Sequence, residues 1–174
     1  MNTPILAPAE RVLTITRVFD APRELVWKAW TNQEYAKHWW GPRHHPSTHV
    51  EIDARVGGAW RIRLTGVETG RELWHGGVFR EVVAPERIAF VNSFSDAEGG
   101  ITRAPFPQLN NLWPLEVLNV VTFTEQGGKT TIALRGGPIN ATDEERAMYA
   151  ASTASMQQGF SGGFDKLDDF LAKS

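Results

Sequence analysis

Residues 156–171 read MQQGFSGGFDKLDDFL, and their large apolar side chains recur at steps of four, four, three and four residues. This spacing keeps them on one face of an α-helix. The stripe consists of Met156, Phe160, Phe164, Leu167 and Leu171. Upstream, Thr142 and Glu145 form a capping-box pattern, so we predict a C-terminal helix over residues 143–172. One apolar face on a long helix requires a sheet or other helices to cover it.

Most of the remaining chain alternates between apolar and polar residues in segments of strand length, separated by glycine and proline. Gly127 and Gly128 predict a tight antiparallel hairpin between the last two segments. We predict seven strands, at residues 11–20, 48–53, 59–65, 72–83, 87–94, 115–125 and 129–135.

Two short helices are predicted directly after the first strand. Pro22 suits a first helical position, and Val26, Ala29 and Trp30 fall on one helical face. Thr31 with Glu34 resembles a second capping box, which predicts a helix over residues 33–39. The order of elements indicates an α+β fold, a curved antiparallel sheet of about seven strands around the long C-terminal helix. We expect one domain over residues 1–174, with residues 1–10 as a flexible N-terminal segment.

The amino-acid composition excludes several classes of protein and site. The 174 residues contain no cysteine, which excludes a disulfide framework, a zinc ribbon and a thiol nucleophile. The 18 Lys and Arg residues against 20 Asp and Glu residues form no basic stripe, so no nucleic-acid partner is expected. The chain has no apolar run long enough to span a bilayer, and we expect a cytoplasmic protein. We predict no cofactor and no metal, because the histidines lack a metal-ligand spacing.

Six ordered motifs carry a family resemblance: FDAPRELVWKAWTN (19–32), HWWGP (38–42), DARVGGAWRIRL (53–64), GVFREVVAPERIAF (77–90), TFTEQGGKTTIAL (122–134) and GFSGGFDKLDDFL (159–171). The chain resembles the START-like (SRPBCC, Bet v 1-like) superfamily. Within it, the chain is most similar to the branch of the C-terminal domain of the activator of heat shock protein 90 ATPase. The resemblance implies the helix-grip fold. It leaves function open, because this superfamily includes lipid carriers, cyclases, hydrolases and chaperone partners.

A curved sheet around one helix encloses a central space. Side chains either fill this space or leave part of it open as a cavity. Strand alternation places Trp60, Ile62 and Leu64 on one face, and the resemblance implies that the HWWGP segment borders the cavity mouth. Asn92 and Asn119 interrupt apolar faces, as structural amides or as ligand contacts. The candidate cavity residues are Trp40, Trp60, Ile62, Leu64, His75, Phe79, Glu81, Phe90, Asn92, Asn119, Val121, Phe160 and Phe164.

Residues 72–83 leave the inward face undecided. One face carries His75, Phe79, Glu81 and Val83, and the other carries Trp74, Val78 and Val82. Either set could face the interior. If the first set is inside, His75 and Glu81 are the candidate acid and base of an enzyme. Residues 95–114 form a proline-containing loop that we predict to act as a lid.

Three hypotheses remain. The leading one is a binding protein for an apolar or amphipathic small molecule, held between the sheet and the C-terminal helix. The second, implied by the resemblance, is a partner-binding module that activates a chaperone ATPase in the stress response. Only about ten residues precede the first predicted strand, so we do not expect the separate N-terminal domain of the eukaryotic activators. The third is a cofactor-free cyclase or hydrolase. A homodimer is compatible with all three.

Overall fold

A seven-stranded antiparallel sheet forms the framework of the computed structural model, which describes residues 13–174. The strands are β1 (Leu13–Phe19), β2 (Ser47–Ile52), β3 (Ala59–Thr65), β4 (Glu72–Val83), β5 (Arg87–Ser95), β6 (Glu116–Gln126) and β7 (Lys129–Ile139). The helices are α1 (Arg23–Thr31), α2 (Gln33–Ala36), α3 (Asp143–Ala151) and α4 (Thr153–Ala172). The predicted α+β helix-grip fold is confirmed. The predicted flexible segment 1–10 and the start of the first predicted strand lie outside the described residues.

The strand order is β1-β7-β6-β5-β4-β3-β2, so every strand from β2 to β7 pairs with its neighbour in sequence. Strand β1 instead crosses to pair with β7, from Leu13 opposite Gly136 to Phe19 opposite Thr130. The predicted hairpin between β6 and β7 is confirmed. Gly127 and Gly128 both have positive φ, at 61° and 77°, which glycine adopts without the steric cost that other residues meet.

Helices α1 and α2 follow β1 as predicted, although α2 is shorter. Its N-cap is Asn32 rather than Thr31, and the Asn32 side chain accepts a hydrogen bond from the Glu34 backbone N–H at 2.9 Å. The helix ends at Ala36 instead of residue 39.

The predicted C-terminal helix over residues 143–172 is divided at Ser152 into α3 and α4. The capping box at its start is present, since Thr142 Oγ1 accepts from the Glu145 N–H and Glu145 accepts from the Thr142 N–H. At Ser152 the hydroxyl donates to the Met148 carbonyl at 2.8 Å, a bond of the kind that bends helices. The backbone there, at φ −102° and ψ 2°, leaves the helical region, and a new helix begins at the next residue.

Helix α4 packs against the inner face of the sheet through the C-terminal part of its predicted stripe. Phe164, Leu167 and Leu171 are buried, and Phe164 meets Phe19 edge-on with ring centroids 5.7 Å apart. Arg17 of β1 donates to Asp165 and Asp168 of α4 at 2.6 Å each, which fixes the helix on the sheet edge. No helix within residues 13–174 has the length and apolar character needed to cross a membrane.

The outer face of the sheet carries a smaller apolar cluster. Its buried members are Ala89 and Val91 of β5 with Leu118 and Val120 of β6. These residues alternate with the inward-facing positions of the same strands, as the period of two requires. The outer cluster therefore marks which strand positions point away from the interior.

Candidate functional site

A cavity of about 530 Å³ lies between the inner face of the sheet, the α3–α4 junction and the loop over residues 96–115. Its size falls within the range of about 300 to 1,000 Å³ that is usual for small-molecule sites. Most of its wall is apolar, formed by Leu13, Pro42, Leu64, Leu73, Phe94, Phe106, Leu109, Trp113, Val117, Met156 and Phe160. Its polar members are His75, Asn92, Ser93, Gln108, Asn119, Tyr149, Ser152 and Ser155. The arrangement suits a largely apolar molecule with a small polar part.

The loop over residues 96–115 forms the outer wall and is anchored at two points. Near its centre, Phe106 packs edge-on against Phe94 of β5 at 5.9 Å, and the Arg71 guanidinium lies 5.3 Å from the Phe106 ring. Arg71 also donates to the Pro105 carbonyl. These contacts hold the loop that we predicted as a lid against the strands.

The second anchor joins this loop to α3. Arg103 donates to the Trp113 carbonyl at 3.2 Å and to the carboxylate of Glu145, the residue that completes the capping box. The Trp113 ring packs on Tyr149 with centroids 5.4 Å apart. Hydrogen bonds from Arg103 and from the Thr142 N–H hold the pKa of Glu145 below its usual range.

His75 is fixed by hydrogen bonds at both ring nitrogens. The Trp40 indole N–H donates to Nε2 at 3.3 Å, so Nε2 is the acceptor and the proton lies on Nδ1. Nδ1–H then donates to Asn92 Oδ1 at 3.2 Å. Burial lowers the pKa of His75 to about 4, with the Asn92 contact opposing the shift. The imidazole is therefore neutral near pH 7, and Asn92 Oδ1 is engaged by His75.

Tyr149 and Asn119 form a second polar point on the cavity wall. Tyr149 is 0% exposed, and its hydroxyl has no hydrogen-bond partner among residues 13–174. Burial raises the pKa of this hydroxyl well above its usual range. Gly136 leaves room for both side chains, because a Cβ there would lie 2.5 Å from Asn119 Oδ1 and 2.9 Å from the Tyr149 hydroxyl oxygen.

The structure brings five of the predicted site residues into the cavity wall. These are Leu64, His75, Asn92, Asn119 and Phe160. Five others, Trp40, Trp60, Ile62, Phe79 and Phe90, surround a neighbouring gap of only about 20 Å³, which has room for about one water molecule. Val121 and Phe164 are buried in the main core, with Phe164 1% exposed.

Trp40 packs within an aromatic cluster rather than covering the cavity mouth. Its ring lies 5.1 Å from Trp39, 5.7 Å from Trp30 and 5.8 Å from Trp60. The indole N–H is already bonded to His75. Trp40 therefore acts on the cavity only through the orientation of His75.

Glu81 lies on the outer face of the sheet, away from the cavity. Phe79 pairs with Phe90, whereas Glu81 pairs with Ala89, so Arg80 is an extra residue that forms a β-bulge. Since directly paired residues share a face, Glu81 lies beside the outer cluster. Its carboxylate is 2.5 Å from the Arg87 guanidinium, and the residue is 4% exposed.

This bulge also settles the orientation of residues 72–83. Leu73 and His75 line the cavity, and Phe79 and Val82 pack in the inner core, so neither predicted face is inward along the whole strand. The structure does not bring His75 and Glu81 together, and both nitrogens of His75 are occupied. The acid and base pair of the enzymatic hypothesis is not assembled. Within residues 13–174, no three His, Asp or Glu side chains are grouped to hold a metal ion.

Several cavity residues were not predicted from the sequence. Leu73 had a usable signal, because it shares the strand face of His75 two residues later. Phe106 and Trp113 lie in the loop, where no periodicity reveals which side chains face inward. Tyr149 follows Glu145 by four residues on the same face of α3, but the burial of that face is evident only in the structure.

The chain matches a known protein family and shares its fold with solved structures. The sequence model of the family described as Activator of Hsp90 ATPase homolog 1-like protein matches residues 20–172. A comparison with curated proteins gives no match.

Solved bacterial structures share the fold. A protein from Mycobacterium smegmatis is 26% identical, with a TM-score of 0.71 over 91% of this chain and 88% of its own. A protein from Rhodobacter sphaeroides is 22% identical, with a TM-score of 0.74 over 97% of this chain and 96% of its own. One from Arthrobacter aurescens is also 22% identical, with a TM-score of 0.74 over 92% and 86% of the two chains.

Proposed function

We propose that this chain, which belongs to the Activator of Hsp90 ATPase homolog 1-like family, binds a small apolar or amphipathic molecule in the cavity described above. The observation that carries the proposal is the cavity of about 530 Å³ with a predominantly apolar wall. Burial of apolar ligand surface there contributes about 25 cal/mol per Å² removed from water, before the entropic cost of binding is subtracted.

The contacts of the loop over residues 96–115 support a site that exists before the ligand arrives. Phe106 is held against Phe94, and Trp113 against Tyr149, so two aromatic residues of the wall are fixed by neighbours. A wall already in place requires little ordering on binding, which favours affinity.

Fluorescence titration with the neutral probe N-phenyl-1-naphthylamine tests the proposal. Ser155 is exposed on α4 and lines the cavity, so Ser155→Trp should obstruct the site without disturbing the core. Ala154 is exposed on the same helix but is not part of the wall, and Ala154→Trp is the matched control.

We expect saturable probe binding by the wild type and by Ala154→Trp, and a loss of at least about tenfold in affinity for Ser155→Trp. Equal affinities in the three proteins would place the probe outside the cavity. If the wild type does not bind the probe at all, the proposal fails.

A second candidate function, activation of a chaperone ATPase, is favoured by the family match over residues 20–172. ATP turnover by a purified Hsp90-type chaperone, with and without saturating protein, tests it. Stimulation by the wild type and equally by Ser155→Trp would assign it to the surface rather than to the cavity. No stimulation by either protein would remove this candidate.

A further inference from the structure

We propose that the ligand is uncharged and carries a hydroxyl group at its buried end, held between Tyr149 and Asn119. This inference rests on the proposed function and deepens it by naming a ligand class. Two independent features lead to it. The described residues that line the cavity include no Lys, Arg, Asp or Glu. The buried Tyr149 hydroxyl has no hydrogen-bond partner in the described part of the chain.

The charge argument concerns the whole wall. Among the described residues that line the cavity, none is Lys, Arg, Asp or Glu. The only imidazole, His75, is held neutral by burial, with its pKa at about 4. A carboxylate or ammonium group placed inside would lose its hydration and gain no countercharge, a cost that strongly disfavours charged ligands.

The hydroxyl argument concerns one end of the cavity. The Tyr149 hydroxyl is buried without a hydrogen-bond partner in the described chain, a costly arrangement that natural proteins seldom keep without a reason. Its O–H needs an acceptor, and Asn119 Oδ1, which lies near the same Gly136 position, can accept from a donor. A ligand hydroxyl can be both acceptor and donor, because it accepts a hydrogen bond from Tyr149 and donates one to Asn119.

Gly136 supports the same assignment. It pairs with Asn119 across β6 and β7, and a Cβ at this position would come closer than van der Waals contact to both polar side chains. The missing side chain is therefore what allows Tyr149 and Asn119 to reach the same point of the wall.

Three probes of one shape test the inference by isothermal titration calorimetry near pH 7. They are 4-hydroxybiphenyl, biphenyl and biphenyl-4-carboxylate, which differ only in the polar group. We expect 4-hydroxybiphenyl to bind about two- to tenfold more tightly than biphenyl, the gain of one net hydrogen bond. The carboxylate should bind at least about tenfold more weakly than biphenyl.

Tyr149→Phe tests whether the Tyr149 hydroxyl contributes to the gain in affinity for 4-hydroxybiphenyl. This variant removes one oxygen and keeps the aromatic ring, so it should bind biphenyl as well as the wild type does. Its preference for 4-hydroxybiphenyl should be smaller than that of the wild type, because only the hydrogen bond to Asn119 remains. Tyr35→Phe is the matched control, because Tyr35 packs on Phe170 away from the cavity wall. It should keep the full preference.

The outcomes separate the inference from the proposed function. If all three probes bind equally, or the carboxylate binds best, the ligand class is wrong while cavity binding stands. A preference for 4-hydroxybiphenyl that is undiminished in Tyr149→Phe also overturns the inference. If none of the three binds while N-phenyl-1-naphthylamine still does, the inference alone is overturned. If N-phenyl-1-naphthylamine does not bind either, the proposed function fails with it.

Discussion

Replacing His75 by glutamine perturbs the half-buried polar group that joins the aromatic cluster to the cavity wall. In the folded protein, His75 accepts from the Trp40 indole at 3.3 Å and donates to Asn92 Oδ1 at 3.2 Å. Glutamine offers one acceptor and one donor of similar reach, but it does not take up a proton in mildly acidic solution. His75→Gln therefore removes the titration while retaining both types of hydrogen bond.

The magnitude follows from the pKa of His75, which burial lowers from 6.5 to about 4. Between these two values the unfolded chain binds more protons at this site than the folded chain does. Stability is therefore unaffected by this group above about pH 6.5 and falls as the pH drops toward 4. The difference between the two pKa values corresponds to a loss of about 3 kcal/mol in the free energy of unfolding.

Urea denaturation at a series of values from about pH 7 to about pH 4 measures this loss. Relative to His75→Gln, we expect the wild type to lose about 3 kcal/mol of stability across the series. His44→Gln, which replaces an exposed histidine outside the cavity wall, is the control and should follow the wild type. Parallel curves for the wild type and His75→Gln would refute the argument that the fold holds His75 as a neutral imidazole.

Four further substitutions test other parts of the structure. Tyr149→Phe should leave the urea midpoint unchanged or raise the free energy of unfolding by up to about 1 kcal/mol, because the removed hydroxyl has no hydrogen-bond partner in the described part of the chain. A loss of stability above about 2 kcal/mol would contradict this expectation. Phe164→Ala, in the core, should lower the free energy of unfolding by about 3 to 5 kcal/mol. Phe160→Ala, at the cavity wall, should lower it less and alter the affinity for N-phenyl-1-naphthylamine. Equal losses of stability with unchanged probe binding would be inconsistent with Phe164 in the core and Phe160 at the wall. Arg103→Gln should lower the free energy of unfolding near pH 7 by up to about 1 kcal/mol, as measured by urea denaturation. The deficit should vanish in acid, because a carboxylate with a lowered pKa such as Glu145 contributes stability above about pH 4.5 and loses it as the pH falls through its folded pKa. A deficit independent of pH would argue against the pair of Arg103 and Glu145.

Local patterns in the sequence were sufficient to predict the fold. Alternation gives the strands, Gly127 and Gly128 give the hairpin, and Thr142 with Glu145 gives the start of α3. Each of these signals is short-range, because it depends on the period of one element or on the chemistry of one turn. The division of the C-terminal helix at Ser152 was missed, since a serine within a helical pattern has no unique effect on the backbone.

The cavity was harder to predict because its wall depends on contacts between distant parts of the chain. The bulge at Arg80 changes the face of every later residue in β4, and this is why Glu81 was expected inside and lies outside. Trp113 reaches the wall through a loop that has no periodic pattern. Asn119 was identified because an amide on an apolar strand face is visible in the sequence, whereas the nearby Tyr149 hydroxyl is not.

A crystal structure of the protein with 4-hydroxybiphenyl measures most directly whether the cavity is a ligand site. The account predicts the probe inside the cavity, with its rings against the apolar wall near Leu73 and Phe160 and its hydroxyl within hydrogen-bond distance of Tyr149 and Asn119. A probe bound only on the outer surface, or a cavity closed by side chains of the loop over residues 96–115, would contradict the account.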